Sequence, residues 1–178
     1  MDQAESLCNG RYLRLVRRGH WEYAERVNAS GAVIIVAVTP QDKVVFVEQF
    51  RIPLGQPTIE MPAGLVGDQE GEDTIERAAI RELEEETGWR ARHVDFLCQG
   101  PTSAGMSNEV VAFVRARGLQ RVGAGGGDDS EQITVHEVPC EEAAAWLSAR
   151  AAAGYAIDAK LYAGLYFIHR NADGTAAG

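Results

Sequence analysis

The sequence is short of cysteine, histidine, basic charge and long apolar runs, and each shortage closes off a class of protein. Its three cysteines, Cys8, Cys98 and Cys140, are odd in number and far apart, which argues against a disulfide framework or a zinc knuckle. The four histidines, His20, His93, His136 and His169, are scattered as well. Spacing therefore picks out no His/Cys metal cluster and no Cys-His or Ser-His nucleophile pair. The longest uninterrupted apolar run, Ala32 to Val38, falls far below the roughly 20 residues that cross a bilayer. The N-terminus has neither a basic start nor an apolar stretch, so it does not read as a signal peptide. With 17 Lys and Arg against 26 Asp and Glu, the formal net charge is −9. Generic binding to nucleic acid or to an anionic membrane is disfavoured. The expected compartment is the cytoplasm, and an anionic ligand would need a cation between it and this chain.

What is present describes one ordinary domain spanning residues 1–178. Hydrophobic residues make up 46% and charged residues 24%, enough to build a core and too apolar for a disordered chain. Tyr12 to Arg17 and Trp21 to Val27 alternate in character around Gly19-His20, which predicts an N-terminal hairpin. Ala32 to Val38 and Val44 to Gln49 flank Thr39-Pro40-Gln41-Asp42, which predicts a second, buried hairpin. A loop-rich stretch with Pro53, Gly55, Pro57, Pro62 and Gly64 surrounds a short strand near Thr58 to Glu60. Asp73-Thr-Ile-Glu76 has the form of a capping box opening a helix that Gly88 stops. Strands are expected at Val94 to Cys98, Glu109 to Arg115 and Gln132 to Val138, with a glycine-rich, mobile segment, Gly118 to Ser130, before the last. Two helices, Glu141 to Ala153 and one starting near Asp158, close the chain. This order predicts a mixed α/β architecture, a mixed sheet with helices packed against it.

The helix from Thr74 to Thr87 does not make sense as structure alone. On a wheel of about 100° per residue, Ile75, Ala78, Ala79 and Leu83 form the apolar arc that should face a core. Glu82 and Glu86 fall inside that arc and Glu85 lies at its edge. Their spacing makes them repel. They also sit at the negative end of the helix dipole, which disfavours acids by about 0.3–1 kcal/mol each. Arg81 can pair with Glu85, which offsets part of this. A hard divalent cation resolves the conflict, because clustered carboxylates offer the oxygen ligands that Mg²⁺ or Ca²⁺ prefer. Room for phosphate oxygens favours Mg²⁺.

Arg81-Glu-Leu-Glu-Glu-Glu-Thr-Gly88-Trp89, behind an acid-capped helix start and a Gly-rich loop, resembles the signature box of the Nudix hydrolases. The second half of the box matches at every defined position. Counting back from Arg81 puts Asp73 where Glu is usual and Gly67 where Gly is usual; counting from Gly64 and Glu72 leaves one extra residue. Gln49-Phe50-Arg51, Glu60-Met-Pro-Ala-Gly64, Ser107-Asn108-Glu109 and Glu131-Gln-Ile-Thr-Val-His-Glu-Val138 resemble the branch of ADP-ribose and nucleoside-diphosphate-sugar pyrophosphatases. That resemblance implies a Nudix fold, a core of about residues 31–170, and a homodimer sharing its N-terminal strands (about residues 1–30).

The implied reaction is hydrolysis of the pyrophosphate of a nucleoside diphosphate sugar to a nucleoside monophosphate and a sugar phosphate. Two or more Mg²⁺ ions, or Mn²⁺ in their place, would be held by Glu82, Glu85, Glu86 and the Ala63 carbonyl, with Arg81 orienting Glu85. Glu131 would be the general base and Asp129 its alternative. Trp21 would stack on the base, Arg51 would hold phosphate or ribose, and Glu109 would belong to the substrate site. Ser103-Ala104-Gly105 stands where the strict ADP-ribose enzymes carry Ser-Pro-Gly, which favours a broader or different diphosphate sugar. Two rival readings stay open: a non-catalytic sensor of a nucleotide sugar, and a hydrolase of nucleoside triphosphates or dinucleoside polyphosphates.

Overall fold

A computed structural model describes residues 3–67, 73–127 and 132–177. Strands β1 (Glu5–Asn9), β2 (Leu13–Arg18) and β3 (Trp21–Arg26) form an antiparallel sheet. The expected N-terminal hairpin is β2 with β3, Arg18 facing Trp21 and Leu13 facing Arg26 across it. β1, which the alternation did not announce, lies along β2.

The second expected hairpin does not form. β4 (Gly31–Val36) and β5 (Lys43–Arg51) part into different sheets; the turn between them is held by a bridge between Val38 and Val44, the Val45 N–H donating to the Ala37 carbonyl and the Thr39 N–H donating to the Lys43 carbonyl. β5 pairs instead with β6 (Gln56–Glu60), and the stretch read as loop beyond it contains β7 (Ala63–Val66), which pairs with β4. After helix α1 (Ile75–Thr87) come β8 (Trp89–Arg90), β9 (His93–Pro101), β10 (Val110–Arg117), β11 (Gln120–Arg121) and β12 (Thr134–Pro139). The helix α2 (Ala143–Ala152), preceded by a 3₁₀ turn at Cys140–Glu142, then β13 (Ala156–Ile157) and α3 (Lys160–His169), follow.

Two four-stranded sheets result, ordered β7-β4-β10-β9 and β12-β5-β6-β13. Each is mixed, because β4 runs parallel to β10 and β6 parallel to β13. β4 is buried on both faces, as an unbroken apolar strand must be. Val33 and Ile35 pack towards Ala78, Ala79 and Leu83 of α1, and Ile34 and Val36 towards Leu147, Leu161 and Phe167 of the last two helices. The sheets therefore lie between α1 on one side and α2 with α3 on the other, the mixed sheet flanked by helices that the element order predicted. No helix among the described residues is long and apolar enough to cross a membrane.

Candidate active site

Helix α1 begins one residue later than the capping box suggests. Thr74 is the N-cap, its hydroxyl accepting from the Arg77 N–H at 3.3 Å. Asp73 is engaged elsewhere: its carboxylate accepts from the Gly67 N–H at 2.8 Å and lies 3.8 Å from Arg81. Gly67 and Asp73 thus clasp the two ends of the segment between them. At the other end Gly88 takes the left-handed conformation (φ 72°) and donates its N–H to the Glu84 carbonyl, as a terminating glycine does.

The wheel places the acids as expected. Glu86 keeps 4% of its surface exposed and Glu82 is half-buried, while Glu85 turns outward with 54% of its side chain exposed. The Ala63 N–H, at the start of β7, donates to Glu86 Oε2 at 3.1 Å. The Arg81 guanidinium meets Glu82 Oε1 at 2.7 Å and also pairs with Glu85 at 3.7 Å, the partner expected one turn on. Gly64 makes room for this: a Cβ there would overlap Cγ, Cδ and Oε1 of Glu82. The Glu-Met-Pro-Ala-Gly motif accordingly has a steric meaning in this fold.

One cavity of about 740 Å³ collects most of the candidates: Ala63, Arg81, Glu82, Glu85, Glu86, Arg51 and Glu109 all line it. Arg51 is braced rather than loose, its Nε donating to Glu60 Oε1 at 2.8 Å and its Nη2 to Oε2 of the same carboxylate. Gln49 donates to that carboxylate at 3.5 Å. Glu109 is bound by Arg26 from the N-terminal sheet, and Asn108 by Glu25, so β3 is fastened to the cavity rim. Trp21 does not line the cavity; it stands 53% exposed on β3. Asp129 and Glu131 lie outside the described residues.

Sequence reasoning passed over Arg26, Glu60 and Lys160, which also line the cavity. Glu60 stands in the quoted Glu60-Met-Pro-Ala-Gly64 motif but received no role, since the polar Gln56 and Thr58 of the same strand leave one more acid unremarkable. Lys160 opens α3 far along the chain, and no local pattern marks it.

Among the described residues, no three Asp, Glu, His or Cys side chains are gathered closely enough to hold a metal ion as they stand. The donor set nonetheless suits a hard cation, with three carboxylates facing one polar cavity, one of them almost wholly buried at a helix C-terminus. Arg81 occupies Glu82 in this arrangement. The described part of the glycine-rich segment, up to Gly127, is hydrogen-bonded to its surroundings. Its base is β11 paired to β8, and its glycines are tied to the end of α1.

The chain belongs to the NUDIX domain family, whose match covers residues 29–164. It is 34% identical over 148 residues to the methanol dehydrogenase activator of Bacillus methanolicus, spanning 79% of this chain and 78% of that protein. It is 38% identical over 120 residues to the ADP-ribose pyrophosphatase of Bacillus subtilis, spanning 67% of this chain and 63% of that one. A crystal structure of an ADP compounds hydrolase superposes with a TM-score of 0.63 at 20% identity, covering 80% of each chain, a likeness of fold.

Proposed function

We propose that this protein is a metal-dependent pyrophosphatase of nucleoside diphosphate sugars, releasing a nucleoside monophosphate and a sugar phosphate. The observation that carries the reading is one cavity in which the carboxylates of α1 face the cations Arg26, Arg51, Arg81 and Lys160. Such a cavity can take a polyanion that the net charge of −9 would otherwise repel. The kinship with an ADP-ribose pyrophosphatase supports the substrate class. Ser103-Ala104-Gly105, in place of the Ser-Pro-Gly turn, favours a diphosphate hexose as well as or instead of ADP-ribose.

Glu82, Glu85, Glu86 and the backbone at Ala63 are the groups that would hold the metal, Mg²⁺ first and Mn²⁺ as its substitute. When bound, the ions supply charge neutralisation on the phosphate oxygens and an acidified water. The chain's own groups do the rest. Arg51, held by Glu60, fixes phosphate or ribose. Arg81 holds Glu82 in position on the helix. Glu131, with Asp129 as the alternative, takes the proton of the attacking water as general base. The water oxygen bonds to one phosphorus as the bond from that phosphorus to the bridging oxygen breaks, and the bridging oxygen leaves with the other phosphate.

Trp21, Leu13 and Leu15, exposed on the N-terminal sheet, and Tyr12, exposed in the bend before β2, support a homodimer in which residues 1–30 serve the partner's site and residues 31–170 the catalytic core. Three free cysteines suit a reducing compartment such as the cytoplasm.

The test is phosphatase-coupled phosphate release from ADP-ribose, UDP-, ADP- and GDP-sugars and nucleoside triphosphates, with Mg²⁺ or chelator. Turnover of a diphosphate sugar that needs metal and is lost in Glu86→Gln is the expected result. Ligand-raised melting temperature without turnover would leave a sensor. Preference for triphosphates would move the enzyme to another branch.

A further inference from the structure

The last carbonyls of a helix have no partner within it, and in α1 two of them belong to Glu85 and Glu86. The glycine-rich segment supplies their donors: the Gly127 N–H reaches the Glu85 carbonyl at 3.1 Å and the Gly126 N–H the Glu86 carbonyl at 2.9 Å. The N–H groups of Val122 and Gly123 both donate to the Gly88 carbonyl, at 2.9 and 3.1 Å. The fit is close enough to require glycine from both sides. Gly125 has φ 71°, and a Cβ on it would come within 2.6 Å of the Glu86 carbonyl oxygen and of Thr87 Cα. A Cβ on Gly88 would overlap the Gly123 carbonyl. The segment is itself held down. Arg121 pairs with Glu137 at 3.0 Å, lies over the Trp89 ring, and donates to the Ala124 carbonyl at 3.2 Å. Trp89 Nε1 donates to the same Glu137 carboxylate at 3.0 Å.

We infer that residues 121–127 are a positioning clamp for the metal site: Gly125 and Arg121 set where the carboxylates of Glu85 and Glu86 stand by fixing their backbone. The inference rests on the proposed role of these acids as metal ligands. The clamp also places N–H dipoles at the negative helix end, where the clustered acids most need them. Groups that orient metal ligands without touching the ion cost about 10–100-fold in metal affinity when removed.

The experiment is calorimetric titration of the full chain with Mn²⁺ alone, alongside melting temperature and Mg²⁺ activation of turnover. Gly125→Ala is expected to weaken Mn²⁺ binding by about tenfold or more, and to raise the Mg²⁺ concentration for half-maximal rate while the substrate KM at saturating metal holds. Arg121→Met shifts metal binding the same way and by less. Gly100→Ala, on β9 with open space around the added methyl, is the control and leaves Mn²⁺ binding unchanged. Should Gly125→Ala fail to fold, Arg121→Met decides. Folded Gly125→Ala and Arg121→Met proteins that bind Mn²⁺ as tightly as the unaltered chain overturn the clamp. An unaltered chain that binds no Mn²⁺ overturns the metal reading beneath it.

Discussion

Glu86 is a carboxylic side chain with almost no exposed surface, at the end of a helix whose dipole opposes negative charge, and the Ala63 N–H donates to it. A residue so placed for function should cost stability. Glu86→Gln removes the charge and keeps an acceptor for the Ala63 N–H. Relief of about 0.3–1 kcal/mol would raise the metal-free melting temperature by about 1–4 °C, while turnover falls below detection. Calorimetry and the coupled assay on one preparation check both halves. Gly64→Ala tests the neighbouring acid from the opposite direction. The three nearest atoms to the added methyl all belong to the flexible Glu82 side chain, which can move aside, so the protein should fold and melt within about 1 kcal/mol of the unaltered chain. Its activity should drop as far as that of Glu82→Gln. These two acids were legible in the sequence because a wheel shows inward charge. Glu60 was not, because an isolated acid in a strand has no period to violate.

At the scale of the element, the start of α1 shows how far local chemistry reaches. Asp73 and Thr74 are both competent caps, and sequence alone does not choose between them. The structure gives the role to Thr74 because Asp73 is spent on the Gly67 N–H. Thr74→Ala should therefore cost about 1 kcal/mol, a fall of about 2–4 °C in melting temperature. The helix and its glycine stop were readable, since both rest on neighbours within a turn. The pairing of β4 and β5 was not. β4 and the Val44–Val47 run of β5 are apolar without a break, so periodicity says that both are buried and nothing about which strand lies beside which. β4 takes β10 and β7, and β5 takes β12 and β6. The two-residue strands β8, β11 and β13 are shorter than any pattern can announce.

For the whole molecule, the three thiols report on packing at three depths. Cys8 is exposed on β1, Cys98 is half-buried and Cys140 is buried. Alkylation of the native protein followed by mass spectrometry should label Cys8 first, Cys98 slowly and Cys140 only on unfolding. Burial, and then the neighbouring Asp42, push the Cys140 thiol from 9.0 up to about 11. Because the folded state holds that proton more tightly than the unfolded chain, the stability it lends is complete below about pH 9 and lost as pH rises towards about 11. The loss amounts to about 2–3 kcal/mol. Melting curves at pH 8 and pH 10.5 should therefore separate further for the unaltered chain than for Cys140→Ala. Equal separations would show that Cys140 takes no part in alkaline unfolding.

The clasp between Gly67 and Asp73 bears on how such a site can change over generations. A closed contour can be lengthened without displacing its ends, and the entropy of closure rises only slowly with length, by about 0.6 kcal/mol per doubling. An insertion between Gly67 and Asp73 leaves both ends of that contact in place, so α1 keeps its start at Thr74 whatever the count of residues back to Gly64. A lineage could enlarge or recolour the chain between those two residues and leave the acids of α1 where they stand.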